Sequence, residues 1–147
     1  MTLTNWESSG WLRPHQATPQ EIFDLLRIAD RDLTDCETKG LSSDWRFNIA
    51  YNAALQIATA ALAASGYRTS RQAHHFRSIQ SLALTLGVST PLVDQLDHFR
   101  KKRNTSDYAQ ADLISDQEVR EMISLAKALK QKVVDWLQIK HPTLIPA

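Results

Sequence analysis

The stretch from Ile49 to Ala64, IAYNAALQIATAALAA, decides the fold. Alanine is the strongest intrinsic helix former, and its small side chain lets a second helix come close. Ala50, Ala53, Ala54, Ala58, Ala61 and Ala64 make one smooth face at helical spacing. Asn52, Gln56 and Thr59 mark the polar side and break the run that would otherwise be the nearest thing to a membrane span. The pattern predicts a central helix over 43–65. It opens at Ser42 or Ser43, with Asp44 near the positive end of the helix dipole, and closes at Gly66.

Upstream, Thr18-Pro19-Gln20-Glu21 announces a helix over 18–38: Thr18 caps, Pro19 takes the first helical position, and Glu21 completes a capping box. Ile22, Leu25, Leu26, Ala29, Leu33 and Cys36 follow as one apolar stripe. Downstream, Thr69 and Gln72 predict a start for a third helix over 70–86, and Thr90-Pro91 for a fourth over 91–103. Ser115 and Glu118 form a capping box for a fifth helix over 115–139, with Ile114 and Val119 placed as a hydrophobic staple. Residues 104–114 read as a polar linker. No run alternates with period two, so none reads as a strand. The expectation is all-α: an antiparallel helical bundle of about five helices over 18–140, an irregular N-terminal segment over 1–17 carrying Trp6 and Trp11, and a tail over 141–147.

A chain of 147 residues, 43% of them apolar, is long enough to bury one core without a disulfide or metal. Cys36 is the only cysteine, so no disulfide forms within the chain, and it reads as a small buried hydrophobe. The net charge of +1 excludes a global basic field, so any nucleic-acid role rests on a local patch. No segment has the length and apolarity to span a membrane. The start MTLTNWESSGW lacks the basic end and apolar core of a signal peptide, and cytoplasmic is the expected location. His74 and His75 are adjacent and point about 100° apart on a helix, so they do not form an i, i+4 metal pair. Neither a GxSxG elbow nor a glycine-rich phosphate loop is present, and no cofactor is expected.

The chemistry-bearing segment is Arg100-Lys101-Lys102-Arg103, followed by Asn104-Thr105-Ser106-Asp107-Tyr108. Four consecutive cations make either a solvated helix face or a phosphate-binding patch. Arg103, Asn104, Asp107 and Tyr108 supply a fixed cation, an amide, a carboxylate and a phenol where the fourth helix is expected to end. They either bind a phosphodiester or form a structural knot in which Asp107 pairs with Arg103 and Tyr108 bonds across the bundle.

The order of features resembles the HEPN family of helical bundles over residues 18–138. The likeness is carried by the alanine-rich helix ending Ala63-Ala64-Ser65-Gly66-Tyr67, His74 or His75 ahead of Ile79 and Leu82, and Leu96 and Phe99. Arg103, Asp107 and Tyr108 as Arg-x-x-x-Asp-Tyr, and Ser115-Asp116-Gln117-Glu118 opening the last helix, complete it. In HEPN ribonucleases the resemblance implies metal-independent RNA cleavage by an arginine and a histidine four to six residues on, in a site completed across a homodimer. Arg103 matches that arginine and Asn104 the polar residue after it, but Tyr108 stands where histidine is expected. A phenol with a pKa near 10 is a poor base at pH 7. The resemblance thus implies an RNA- or nucleotide-directed module of toxin–antitoxin or defence type, a weak or degenerate endoribonuclease. Arg103, Asp107 and Tyr108 would be catalytic. Arg100 and Asn104 would bind, and His75 would be a distant reserve for proton transfer. The alternative is a non-catalytic scaffold working with a partner such as a minimal nucleotidyltransferase.

Overall fold

In a computed structural model the chain is a helical bundle with one small two-stranded ribbon. Residues 2–71, 74–108 and 114–145 are described, with the backbone alone over 104–108. The elements are α1 (Leu3–Ser8), β1 (Leu12–Pro14), α2 (Pro19–Asp35), α3 (Ser43–Ala64), β2 (Tyr67–Thr69), α4 (His74–Gln80), α5 (Leu82–Thr85), α6 (Thr90–Tyr108) and α7 (Asp116–Lys140). A 3-10 turn, Pro142–Leu144, follows.

The alanine-rich stretch forms α3, the central helix. Residues 60–64 are all buried, so its last turn is enclosed on every side. It packs most extensively against α2 and α7 and also meets α4, α5, α6 and β2. Ala54, Ala58 and Ala61 are buried as expected. A helix apolar all round belongs in the interior, and alanine keeps the crossing helices near. The helix starts follow the cap chemistry. Thr18 accepts from Glu21 N at 3.1 Å, Ser42 from Trp45 N at 3.2 Å, and Ser115 and Glu118 form their reciprocal box. Ile114 and Val119 are both buried in the core. Cys36 is buried too, its thiol donating to Leu33 O at 3.2 Å.

A buried polar link joins α2 and α3. Asp32 of α2 is 5% exposed and accepts from Asn52 Nδ2 of α3 at 2.7 Å. Arg46 Nε donates to the Cys36 carbonyl at 2.8 Å, satisfying one of the orphan carbonyls past the end of α2.

The structure departs from the sequence expectations in four places. The first 17 residues are not irregular: they carry α1 and β1. A strand also stands where none was expected, since β1 pairs antiparallel with β2, Leu12 opposite Thr69 and Pro14 opposite Tyr67. Gly66, at a φ of 96°, turns the chain from α3 into β2. Trp6, Leu12 and Leu62 form a second small core, with Trp11 edge-on to Trp6 at 5.5 Å and Arg77 over Trp11 at 4.5 Å. Second, Thr69 lies in β2 and does not open the third helix, which is described from His74, Gln72 lying outside the described residues, and which breaks at the buried Ser81. The Ser81 hydroxyl donates to Ser78 O at 2.7 Å and competes for the carbonyl the helix ladder would use. Third, Glu21 does not close a capping box; its carboxylate meets His15 Nε2 at 2.8 Å instead. Fourth, α6 runs five residues past Arg103. Residues 104–108 contain neither Gly nor Pro, so nothing in them stops the ladder.

The close approach at α3 has a measurable consequence. Ala58→Leu should cost about 1–3 kcal/mol through overpacking, read as a lower urea midpoint with an unchanged m-value. An unchanged midpoint would show that this face has room to spare.

Candidate functional site

Asp97, Arg100 and Arg103 recur at three-residue spacing on α6 and so share one face. That face looks across at α4, which packs against α6, and at Tyr51 of α3. The Arg103 guanidinium lies 5.5 Å from the centroid of the Tyr51 ring, and the Arg100 guanidinium 5.3 Å from that of Phe76. The His75 ring stands 6.2 Å from the Tyr51 ring, and the His74 ring 4.2 Å from that of His75. Two guanidiniums, an imidazole and a phenol therefore meet where α3, α4 and α6 converge.

The cation run is largely matched by carboxylates. Arg100 Nε donates to Asp97 Oδ1 at 2.8 Å, Lys101 Nζ lies 3.4 Å from Asp97 Oδ2, and Lys102 Nζ lies 2.6 Å from Glu118 Oε2. Glu118 also caps α7, accepting from Ser115 N at 3.1 Å. Burial works against its ionisation, but the bonds from Lys102 and Ser115 outweigh that and hold its carboxyl below the usual range. The positive end of the α7 dipole is thus taken up by the chain's own carboxylate.

Two groups of the cluster titrate far from their ordinary values. Burial lowers His75 from 6.5 to about 4, reinforced by His74, Arg103 and Arg100. Burial also pushes Tyr51 up to about 12; Arg103 and Arg100 oppose that and Asp97 adds to it. At pH 7 the imidazole and the phenol are both neutral, between two guanidiniums. Tyr51 is 1% exposed, and its hydroxyl has no hydrogen-bond partner among the described residues. A buried hydroxyl without a partner is uncommon and calls for an explanation, function among them.

Of the residues singled out from the sequence, Arg100, Arg103 and His75 come together. The His75 ring is held beside the Tyr51 ring that Arg103 covers. Asn104, Asp107 and Tyr108 lie on the last turns of α6 rather than past its end, and their side chains fall outside the described residues. Tyr51, Phe76 and Asp97 were not singled out. Tyr51 had one visible signal: it is the only aromatic residue between Ile49 and Ala64.

No family model matches the chain, and no curated protein matches it either.

Two outcomes follow from the cluster. The folded chain binds the His75 proton less tightly than the unfolded chain does. The stability given by the neutral ring is in full above pH 6.5 and is lost as the pH falls towards about 4. An imidazole NMR titration should show His75 neutral at pH 6, and replacement by Asn should flatten the acid side of the stability profile. Tyr51→Phe removes a hydroxyl that nothing satisfies, so it should leave stability unchanged or raise it by up to about 1 kcal/mol, measured by urea unfolding.

Proposed function

We propose that the chain is a HEPN-like, RNA- or nucleotide-directed module whose phosphate site is the cluster at Arg100, Arg103 and His75. The observation that carries this reading is the meeting of the Arg103 guanidinium and the neutral His75 imidazole at the ring of buried Tyr51, with Arg100 beside them over Phe76. Arginine presents planar N–H groups that match phosphate oxygens. On a protein of net charge +1, such a pair gives local attraction without a global field. A bound phosphate also offsets the positive neighbours that lower His75, and so draws its proton affinity back towards neutrality.

In this reading Arg103 stabilises charge on the phosphorus centre and Arg100 binds the adjoining phosphate oxygens. His75 takes over the proton transfer for which the Arg-x-x-x-Asp-Tyr segment lacks a histidine. Asn104 and Asp107 would orient the strand and Tyr108 would donate a hydrogen bond or proton, as the family likeness implies. Cleavage in this reading needs no metal, as the family likeness implies, and it is slow because burial still disfavours the protonated imidazole. The family likeness adds a homodimer and a setting of toxin–antitoxin or defence type.

A second reading is a non-catalytic scaffold that binds a partner such as a minimal nucleotidyltransferase. One observation favours it: Arg100 is held by Asp97 and Lys102 by Glu118, which leaves less charge for a ligand.

Fluorescence polarisation with a single-stranded RNA separates the two. Under the first reading, binding weakens steeply with salt, and Arg103→Ala lowers affinity and reduces the slope of log K against log salt by about 1. Its thermal midpoint changes little, and any cleavage of the RNA survives EDTA. If Arg103→Ala unfolds the protein while affinity per folded molecule is retained, the cluster is a structural knot and the scaffold reading stands.

A further inference from the structure

A cavity of about 220 Å³ with a partly polar wall lies where the β1–β2 ribbon meets α3 and α4. His15, Glu21, Thr59, Tyr67, His74 and Ser78 contribute its polar wall, over an apolar floor from α3. His15 Nε2 lies 2.8 Å from both Glu21 oxygens, and the two side chains keep 26% and 36% exposure. This leaves the second imidazole nitrogen, and the remaining lone pairs of the carboxylate, for something else. Tyr67 is half-buried and His74 exposed, while Ser78 is buried.

The cavity adjoins the cation cluster. Thr59 follows Tyr51 on the same helix, about 12 Å further along its axis at 1.5 Å per residue. His74 and His75 are consecutive, so their side chains diverge. His75 faces Tyr51, and His74 lines the cavity, with the two rings 4.2 Å apart.

We propose that this cavity takes a single unpaired nucleobase of the RNA or nucleotide whose phosphate lies at Arg100 and Arg103; the inference rests on that reading and deepens it. A nucleobase is planar, with two π faces and an edge of mixed hydrogen-bond donors and acceptors. Single-stranded RNA is read in this way, by bases splayed onto aromatic or histidine rings and bonded along their edges. The cavity supplies both: rings from Tyr67 and His74, and carboxylate, imidazole and hydroxyl groups for the edge. Glu21 opposes a second phosphate there, so the cavity does not merely extend the anion site. Its volume is below the roughly 300–1,000 Å³ of pockets for larger ligands, which suits one heterocycle. Arg68 also lines it and is exposed, in reach of the adjoining backbone.

The test follows the imidazole resonances of His15 and His74 by NMR, with affinities from calorimetry. The probes are adenosine, guanosine, cytidine, uridine, their 5′-monophosphates and inorganic phosphate. At least one nucleoside should shift both resonances, and its monophosphate should bind at least about tenfold tighter than inorganic phosphate. Thr59→Met fills the cavity and should abolish the nucleoside shifts while phosphate affinity is kept. His74→Leu, at an exposed position, should weaken nucleoside binding and serves if Thr59→Met does not fold. Arg103→Ala should do the reverse, losing phosphate and keeping nucleoside. If no nucleoside or monophosphate moves either resonance, or if His74→Leu leaves nucleotide affinity unchanged, the cavity is not a base site, whether or not phosphate still binds. If nucleosides bind and phosphate does not, the base cavity stands and the Arg100–Arg103 site falls.

Discussion

The distance between α3 and its neighbours is the constraint on which the rest depends. Alanine at Ala53, Ala54, Ala58, Ala60, Ala61, Ala63 and Ala64 leaves those positions of the helix almost no side-chain bulk to hold other helices off. α2 and α7 therefore close on it, and the larger side chains of the core come both from α3 itself, as Phe47, Tyr51, Ile57 and Leu62, and from the outer helices, as Met122 and Leu129 of α7. The stabilisation is dispersion and apolar burial spread over many small contacts, each weak and collectively large. Such a core tolerates little added volume.

This economy of volume also explains where the polar chemistry sits. Buried polar groups near α3 are few, and each has a distinct situation. Asp32 is satisfied by Asn52, so that pair fixes how α2 and α3 face one another. The Tyr51 hydroxyl is not satisfied, and it lies at the place where α4 and α6 bring their imidazole and guanidiniums. Among the described residues the interior thus holds a matched polar contact that locates two helices and, elsewhere, an unmatched hydroxyl beside a cluster of cations. The second arrangement costs stability, which gives it a claim to a functional role.

The helices were legible because their signals are local. Thr18, Ser42, Ser115 and Glu118 cap what they were expected to cap, and the three- and four-residue apolar spacing behind them holds. What escaped is non-local. A three-residue strand is too short to show period two, and β1 exists only because β2 lies beside it. Glu21 was read against its nearest helix amides, yet His15 competes for the same carboxylate. The polar run after Arg103 was taken as a helix end, although polarity alone does not break a helix. For the candidate site, Arg100 and Arg103 were visible as a charge run on one element. Their meeting with Tyr51 and His75 depends on how three helices cross, and no spacing along the chain records that.

The ribbon sets an order of events during synthesis. Leu12 waits for Thr69, about sixty positions further on, so at roughly 5–20 residues per second the N-terminal segment emerges several seconds before its partner strand. Trp6 and Leu12 are buried only once Leu62 has been made, and until then both present apolar surface to the surrounding solution. The nascent chain therefore passes through an interval in which its first segment is a natural target for holding chaperones. A strand-weakening change such as Leu12→Asp would lengthen that exposure and lower the yield of folded protein more than its effect on the finished bundle suggests.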